Sequence, residues 1–373
     1  MKIAILGTRG IPANYGGFET FAQECATRLV ERGHQVTVYG RSHYVPKGLH
    51  SFNNVRLVVL PTLKWKHTDT VFHTFLSVLH SVFQDYDAVL ICNAANSIFA
   101  WLPRLCGTPV ALNVDGLERL RGKWGRLARA YYRLSEFLST KLPDVIVTDA
   151  RVIEQYYRER YGAGSVFIPY GAATDKPASR ETLDALGLAP GDFFLYVSRF
   201  EPENNVHRVV AAFEKVRTAS RLVAVGDAPY AREYIRRVRR TRDDRIMFPG
   251  AIYGTGYREL MANAACYIHA TEVGGTHPAL IEAMGQGNLI IANQTPENEE
   301  VLGDAGLFYP KNDVDGLARC IQEVADYPER FGGLRQAAAE RACRLYSWDT
   351  VVSEYERLFT RLAARHSPLS TRH

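Results

Sequence analysis

The 373-residue sequence has no apolar run that approaches the length of a membrane-spanning helix. Met1-Lys2 leads directly into a predicted strand, so no signal sequence is expected. The six cysteines form no CxxC pair and several lie in apolar runs, which favours reduced thiols in a cytoplasmic protein over disulfides or a zinc site. Histidines and carboxylates lack the spacing of metal ligands, so the sequence predicts no metal.

The common nucleotide-binding motifs are also absent. The glycine-rich segment at residues 7–17, GTRGIPANYGG, fits neither GxGxxG nor GxxxxGK[ST]. A nicotinamide oxidoreductase or a P-loop enzyme is therefore a weak interpretation. The sequence contains no short repeat or low-complexity tract, and its 46% hydrophobic and 23% charged content is ordinary for a globular protein.

Short apolar runs rich in Val and Ile alternate with helix-length amphipathic segments along the chain. This alternation predicts α/β domains built on parallel sheets. The pattern breaks at residues 168–190, where Pro and Gly are frequent, and then restarts. We therefore expect two Rossmann-like domains, residues 1–170 and 171–349, with a helix at about 350–365 that packs back on the first. Because parallel sheets bind ligands at the carboxyl ends of their strands, the two domains are expected to face one another across a cleft.

The predicted strands of the first series are residues 2–7, 35–39, 55–60, 88–92, 109–114 and 145–148. Those of the second series are residues 193–198, 222–225, 246–248, 265–269, 289–292 and 307–308. Two predicted helices of the first domain are residues 18–32 and 70–83.

The most informative segment is residues 271–287, TEVGGTHPALIEAMGQG, which lies between two predicted strands. Pro278 suits the first turn of a helix, and Thr276 can cap its free amides. A strand, a glycine turn and a helix N-terminus together present backbone N–H groups to a phosphate. Glu282, further along the helix, would accept hydrogen bonds from a hydroxylated ring beside that phosphate. The alternative is a helix–strand corner with a solvated glutamate.

Polar residues follow several other predicted strands. Asp115 and Glu118 lie in residues 113–118, NVDGLE. A carboxylate there would stabilise a developing oxocarbenium ion or take a proton from a hydroxyl, and a simple turn residue is the alternative. Arg199 follows the first strand of the second series, and Tyr253 follows another. A surface ion-pair partner is the alternative to a functional role for Arg199.

The net charge of +5 is unevenly distributed, with +7 in residues 1–170 and −2 in the remainder. A basic segment at 119–133 carries much of the excess. A basic helix with aromatic residues can lie on an anionic membrane or bind an anionic acceptor, and a solvated helix face is the alternative. The basic residues are Arg119, Arg121, Lys123, Arg126, Arg129 and Arg133, interleaved with Trp124, Leu127, Tyr131 and Tyr132.

The 271–287 segment resembles the signature of the retaining glycosyltransferases of family 4, which have the GT-B fold. Their pattern is E-x-F-G-x-P-x-x-E-A-M-x-x-G, in which the two Glu hold the sugar and the ribose of a nucleotide-sugar donor. Gly274 occupies the position of the first Glu, and Glu272 is two residues out of register. The strings GTRGIPANYGGFET and NVDGLE extend the resemblance to a branch with a V-G-G-T-x-P variant, which includes rhamnosyltransferases of surface-polysaccharide assembly. The residues shared with the pattern are Pro278, Glu282, Ala283, Met284 and Gly287, with Pro278 one residue before the position of the pattern's Pro.

The resemblance implies roles for the first loops. Gly16 and Gly17 would bring backbone amides to the donor phosphates. Asp115 stands where many relatives carry a His that contacts the donor sugar. Arg199 matches a diphosphate-binding Arg, whereas Asn204 stands in place of a Lys. Asp115, Arg199 and Glu282 are therefore the predicted catalytic residues.

The resemblance also assigns the remaining loops. Gly274, Gly275 and Thr276 would bind the donor with Glu282, and Tyr253 would lie beside the base. Arg9 is the candidate replacement for the missing cation, and Arg9 and Glu118 are candidate contacts to an acceptor or a phosphate. His269 and His277 flank the signature; a histidine there is more often structural than catalytic, although His277 is within reach of the expected cleft.

The implied protein is a cytoplasmic, metal-independent glycosyltransferase that retains anomeric configuration, with a basic segment able to contact the inner face of the membrane. Its donor would be a nucleoside-diphosphate sugar such as dTDP-rhamnose, and its acceptor a lipid-linked glycan. An internal-return mechanism is favoured, in which the leaving phosphate acts as base and Asp115 only positions the sugar. Two alternatives stay open: a catalytically impaired sugar-nucleotide-binding subunit, and a nucleotide-sugar epimerase of related architecture.

Overall fold

The computed structural model describes residues 1–14, 16–62, 69–122, 124–228 and 230–366. Tyr15 of the glycine-rich segment and Lys123 of the basic segment lie outside these residues. Two compact units are present: Met1–Tyr170 together with the last helix, which begins at Trp348, and Gly171–Ser347.

Strands and helices alternate along both units. The strands are β1 (Lys2–Leu6), β2 (Gln35–Arg41), β3 (Ser51–Phe52), β4 (Val55–Leu60), β5 (Ala88–Cys92), β6 (Val110–Asn113), β7 (Val145–Thr148), β8 (Val166–Phe167), β9 (Phe193–Val197), β10 (Arg221–Val225), β11 (Ile246–Gly250), β12 (Cys266–His269), β13 (Leu289–Asn293) and β14 (Leu307–Tyr309). The α-helices are α1 (Gly17–Glu31), α2 (Asp69–Ser81), α3 (Trp101–Leu105), α4 (Arg126–Ser139), α5 (Arg151–Tyr161), α6 (Glu181–Leu186), α7 (Val206–Phe213), α8 (Arg232–Val238), α9 (Gly254–Asn263), α10 (Pro278–Gly285), α11 (Pro296–Leu302), α12 (Val314–Asp326), α13 (Gly332–Leu345) and α14 (Trp348–His366). Short 3₁₀ helices occupy Ala94–Phe99, Glu118–Leu120, Pro202–Asn204 and Pro328–Phe331.

The first unit is built on an eight-stranded sheet of order β3-β4-β2-β1-β5-β6-β7-β8. Its pairs are parallel, except that the short β3 runs antiparallel to β4. The central strands β1, β5 and β6 are continuous apolar runs that are almost wholly buried. Burial along whole strands is expected where helices cover both faces of a parallel sheet.

Helix α1 carries a buried stripe of Phe21, Cys25 and Leu29, spaced four residues apart. This spacing places the three side chains on one helix face, which packs into the core of the unit. Helix α14 packs on α1: the rings of Phe21 and Tyr355 have centroids 5.1 Å apart, and Arg32 Nη1 lies 3.0 Å from Glu356 Oε2.

The second unit is built on a six-stranded parallel sheet of order β11-β10-β9-β12-β13-β14. Aromatic residues of β9 and α7 form the centre of one core layer, with Phe194 and Phe213 in edge-to-face contact at 5.9 Å between ring centroids. The predicted α/β class, with two units of parallel sheet and helices, is confirmed.

Two predicted boundaries move slightly and one prediction is wrong. The helices predicted at 18–32 and 70–83 are Gly17–Glu31 and Asp69–Ser81. The basic segment 119–133 is not one helix, because Glu118–Leu120 is a 3₁₀ turn and α4 starts only at Arg126. Gly122 and Gly125 interrupt the run of helix formers between them, which explains the break.

Among the described residues, no helix combines the length and the apolar character needed to cross a bilayer.

Candidate active site

The segments that follow β9 and β12 in the second unit carry most of the predicted donor-site residues. Strands β9, β12 and β13 are adjacent and parallel, so the loops that follow them leave the sheet at one edge. The first two loops touch directly, since the Glu272 N–H donates to the Glu203 carbonyl at 3.1 Å. The Asn205 side-chain amide also donates to the Ala270 carbonyl at 2.9 Å. The fold therefore brings Arg199 and the glycine turn of the signature together at the carboxyl end of the sheet.

The guanidinium of Arg199 lies beside a buried carboxylate. Its Nη2 is 3.8 Å from Oε2 of Glu201, whose side chain is 2% exposed, whereas the Arg199 side chain is 35% exposed. The Tyr230 hydroxyl donates to the other Glu201 oxygen. Glu201 thus holds the Arg199 guanidinium at the carboxyl end of the sheet. Part of the Arg199 side chain faces solvent, and this arrangement is suited to binding an anion.

Asn204 is buried and serves the loop backbone. Its side-chain amide donates to the Arg199 carbonyl at 2.7 Å, and the Tyr196 hydroxyl donates to the Asn204 carbonyl. Its role as a diphosphate ligand stays a prediction. The structure shows a neutral side chain that holds the backbone of Arg199, at the position that the resemblance gives to a lysine.

Both carboxylate oxygens of Glu272 form ion pairs or hydrogen bonds. Glu272 lies two residues before Gly274, which occupies the first Glu position of the family pattern. Its Oε1 accepts from Asn205 at 2.7 Å and lies 3.3 Å from Arg208 Nη1. Its Oε2 lies 3.1 Å from Lys311 Nζ. With both oxygens paired, Glu272 is placed to fix the loop and not to substitute for the carboxylate that Gly274 lacks.

The signature helix begins one residue later than the predicted cap implies. α10 starts at Pro278, and His277 is the N-cap residue, with extended backbone angles. Pro278 at the first helical position places the N-cap at residue 277, and the expectation that Thr276 caps the free amides stays a prediction. Thr276 itself is buried in the turn before the helix. The N-terminus of α10 still lies at the carboxyl edge of the sheet, where its dipole favours an anion.

The ring of His277 fills the space that a side chain at residue 274 would need. A Cβ atom at residue 274 would lie 2.4 Å from Cε1 of that ring. The His277 ring also lies against His269, with 4.8 Å between centroids. His269 is buried at the end of β12, and burial together with His277 lowers its pKa well below the ordinary value. The space beside Gly274 is thus filled by a histidine pair, of which His269 is neutral.

Glu282 is held by a tyrosine that the sequence did not reveal. The Tyr257 hydroxyl on α9 donates to Oε2 of Glu282. Desolvation, followed by the Glu282 charge, raises the pKa of Tyr257 well above its ordinary value. Desolvation, followed by the Glu282 charge, also raises the pKa of buried Tyr267 on β12, so the carboxylate lies near that strand. Tyr253, the N-cap residue of the same helix α9, is 51% exposed.

The glycine-rich loop of the first unit is shaped by steric crowding as well as by its turn. Gly7 has a φ of 86°, and a Cβ there would lie 2.4 Å from the Cys92 carbonyl oxygen. Gly16, by contrast, is extended and is the N-cap residue of α1, which starts at Gly17. Buried Glu19 accepts a hydrogen bond from the Arg9 N–H at 2.9 Å and ties the loop to that helix.

Asp115, two residues after the end of β6, has a left-handed backbone with a φ of 55°. Its N–H donates to the Asn113 side chain at 3.1 Å. Such a conformation costs a non-glycine residue about 1 kcal/mol and is concentrated at functional sites. The Asp115 charge contributes to the raised pKa values of Cys92 and Tyr170, after desolvation in both cases. The carboxylate therefore lies at the edge formed by the ends of β5 and β6.

Arg9 and Glu118 have partners within the first unit. The Arg9 guanidinium carbon lies 4.6 Å from the centroid of the Tyr44 ring. Glu118 Oε2 accepts from Arg121 at 2.6 Å, and Oε1 accepts from the Trp124 indole at 3.3 Å. Contacts of either residue to a substrate stay predictions.

Sequence patterns did not indicate Glu201 and Tyr257. Glu201 lies beside the predicted site residue Arg199, and Tyr257 donates a hydrogen bond to Glu282. Glu201 lies two positions after Arg199, and this short spacing could have indicated the contact. A residue that contacts a ligand is commonly oriented by a second residue, here a buried carboxylate beside the arginine. Tyr257 lies 25 residues before Glu282 on another helix, and nothing in the local sequence links the two.

Two family models match the chain. Residues 16–171 match the glycosyl transferase 4-like domain, and residues 191–326 match the model described as glycosyl transferases group 1. Between them they match more than three quarters of the chain. The chain is also 23% identical over 202 residues to the O-antigen chain mannosyltransferase B of Escherichia coli, a match covering 52% of this chain and 51% of that protein. The chain spans about half the length of the curated relatives it matches.

Solved structures show the same fold over nearly the whole chain. The sucrose-phosphate synthase of Thermosynechococcus elongatus is similar with a TM-score of 0.79 and 20% identity, covering 98% of this chain and 99% of the other. HepE of Anabaena, solved in complex with UDP-glucose, has a TM-score of 0.79 and 16% identity, covering 97% of this chain and 100% of the other. The two family models and this fold identify the chain as a member of the glycosyltransferases of GT-B fold.

Proposed function

We propose that the protein transfers a sugar from a nucleoside-diphosphate donor to a hydroxyl of a glycan acceptor. The observation that carries this proposal is the placement of Arg199, anchored by buried Glu201, at the same sheet edge as the N-terminus of α10. The two together provide a fixed cation and a set of backbone N–H groups for a diphosphate. Two similar proteins support the substrate class, one named a mannosyltransferase and the other solved with UDP-glucose.

In the proposed reaction the bond between the anomeric carbon and the diphosphate oxygen breaks, and negative charge develops on the leaving diphosphate. Arg199 and the α10 N-terminus stabilise that charge, which is the largest contribution available to this site. The acceptor oxygen bonds to the anomeric carbon on the face that the diphosphate leaves, and its proton passes to the leaving phosphate. The configuration is therefore retained. Asp115 positions the sugar and stabilises positive charge at its ring, and Glu282 accepts hydrogen bonds from donor hydroxyls.

We further propose a 6-deoxyhexose donor such as dTDP-rhamnose and a lipid-linked glycan acceptor. The V-G-G-T-x-P variant of the signature supports the donor. Gly274 removes one carboxylate from the donor site and Glu272 is engaged with Arg208 and Lys311, so fewer acceptors are offered to sugar hydroxyls. A donor with fewer hydroxyls matches such a site, because unpaired polar groups cost binding energy.

The donor is tested by thermal stabilisation with a panel of UDP-, GDP- and dTDP-sugars. The matching donor should raise the melting temperature of the wild type. Arg199→Ala should abolish the shift, whereas Arg236→Ala, at an exposed position on α8, should leave it unchanged. A shift that survives Arg199→Ala would contradict the proposed site.

Transfer should proceed without a divalent metal, since Arg199 and a helix N-terminus supply the positive charge for the diphosphate. We expect EDTA to leave the initial rate within about twofold of the untreated enzyme. Loss of activity that Mg²⁺ or Mn²⁺ restores would contradict metal independence.

A sugar-nucleotide-binding subunit without transferase activity is the second candidate. It is favoured by Asn204, which replaces a cation and donates to the backbone of its own loop. Donor binding without release of the nucleoside diphosphate, across a panel of glycan acceptors, would favour this candidate over a transferase. Conversion of the donor sugar in the absence of acceptor would instead indicate an epimerase.

A further inference from the structure

Two helices of the first unit that pack against the same 3₁₀ helix, Ala94–Phe99, each bury a set of polar residues and expose large apolar ones. The buried residues of α2 include His73, Thr74, Ser77 and Ser81, while Phe75 and Leu79 are exposed. The buried residues of α4 are Ser135, Glu136 and Ser139, while Leu127, Leu134 and Phe137 are exposed. An ordinary surface helix has the opposite pattern.

Several of these buried polar residues form hydrogen bonds within the unit. The Ser77 hydroxyl donates to the His73 carbonyl at 2.8 Å, and the Ser139 hydroxyl donates to the Glu136 carbonyl at 2.6 Å. The His73 ring lies 3.0 Å, Nε2 to O, from the Gly40 carbonyl. The contacts of His73 with Gly40 and of Glu136 with Arg119 join the two helices to other elements of the unit, and the apolar sides of the helices face outward.

The exposed apolar residues form one region. Helix α2 packs against α3 and against the 3₁₀ helix Ala94–Phe99, which in turn packs against α4. Phe75 and Phe99 have ring centroids 5.7 Å apart, and the Tyr131 hydroxyl donates to the Ala95 carbonyl at 2.7 Å. Nine of the thirteen large apolar side chains that are exposed among the described residues lie between residues 75 and 137. We call these nine the apolar surface: Phe75, Leu79, Phe83, Trp101, Leu105, Leu120, Leu127, Leu134 and Phe137.

The exposed charges on these helices are basic. Arg126, Arg129 and Arg133 are exposed on α4, beside Leu127, which is 89% exposed. The acidic residues of α2, α3 and α4 are Asp69 and Glu136, and each forms an ion pair with an arginine of this unit. A surface that combines apolar side chains with exposed arginines matches the interface of a bilayer that contains anionic lipid.

We propose that the apolar surface and the α4 arginines dock the protein on an anionic membrane, with the apolar side chains at the level of the headgroups. The arginines attract the anionic headgroups, and Leu, Phe and Trp side chains enter the boundary of the acyl chains. This docking requires neither Arg199 nor a donor, so it holds or fails independently of the transfer reaction.

Sedimentation of the full-length protein with vesicles of phosphatidylcholine, with or without phosphatidylglycerol, tests this docking. We expect binding to the anionic vesicles that weakens as salt is raised. Leu79→Gln/Phe83→Gln should reduce the affinity at least about tenfold, and Arg129→Gln/Arg133→Gln about 30-fold. The matched controls in the second unit are Leu345→Gln, which removes an exposed apolar side chain, and Arg236→Gln/Arg240→Gln, which removes two exposed arginines; each should change the affinity less than about twofold.

Circular dichroism and thermal melting establish that each variant is folded, as expected for exposed positions. Binding of the wild type that is absent, or equal for all four variants, would overturn the docking role. A dimer that forms in solution without vesicles and is dissociated by Leu79→Gln/Phe83→Gln would also overturn it, because the surface would then be covered by a second copy of the chain.

Discussion

Replacing Arg199 by alanine separates a role in binding the diphosphate from a role in holding the fold. The guanidinium lies 3.8 Å from Glu201, a carboxylate with 2% exposure that also accepts from Tyr230. Arg199→Ala removes the cation beside that carboxylate, and because the arginine is one third exposed we expect a loss of only about 1–2 kcal/mol in the free energy of unfolding. The same change removes a fixed cation from the leaving diphosphate, which should lower kcat/KM at least about 100-fold.

The double variant Arg199→Ala/Glu201→Gln distinguishes the two effects. Glutamine removes the charge that Arg199→Ala leaves beside buried apolar groups, so the free energy of unfolding should return to within about 1 kcal/mol of the wild type. The transfer rate should stay about 100-fold low, since the cation is still missing. Urea unfolding and initial rates of nucleoside-diphosphate release measure the two quantities. If the rate recovers together with the stability, Arg199 acts by supporting the loop and our assignment of its role is wrong.

Three further predictions concern other parts of the structure. Tyr257→Phe removes a hydrogen bond to Glu282 and should lower kcat/KM about five- to tenfold with little change in melting temperature; an unchanged kcat/KM would remove Tyr257 from the donor site. Gly274→Ala forces the His277 ring to move and should cost about 1–3 kcal/mol of unfolding free energy, measured with urea, and His277→Ala in the same chain should recover most of it. Burial lowers the pKa of His73 to about 4, below its ordinary value near 6.5, so the unfolded chain binds the proton more readily; stability is fully present above pH 6.5 and should fall by up to about 3 kcal/mol as the pH drops towards 4, and His73→Gln should reduce that pH dependence.

Periodicity and turn residues were sufficient to predict the α/β class and most strand positions. The nearly continuous apolar runs of β1, β5 and β9 can be recognised from the sequence alone. Strands that are covered on both faces have no solvent-facing side, so polar residues do not alternate with apolar ones along them. Charge and aromatic content suggest one helix over the basic segment 119–133, but Gly122 and Gly125 interrupt it.

The candidate site was only partly predictable, for a reason of distance along the chain. Arg199 and Glu282 lie in motifs that can be read locally. Their supports depend on contacts that no local pattern contains, such as the Tyr257 hydroxyl on a separate helix. The pairing of Gly274 with His277 is also invisible in sequence, since it depends on a ring that folds back over the turn.

Helices α2 and α4, which bury polar residues and expose large apolar ones, show a different limit of prediction from sequence. Their sequences contain both apolar and polar stripes, and amphipathicity alone does not say which stripe faces the core. Charge and aromatic content indicate a membrane contact only for residues 119–133, whereas the apolar surface also involves α2 and α3, whose exposed side chains are apparent only in the folded unit.

A crystal structure of the protein with a bound nucleoside diphosphate, obtained separately with UDP, GDP and dTDP, tests the central claim most directly. We predict that the phosphates of at least one of them lie within about 3 Å of the Arg199 guanidinium and of backbone N–H groups at the start of α10. Phosphates bound at another place in all three structures, with Arg199 still beside Glu201 and no ligand near it, would contradict the account.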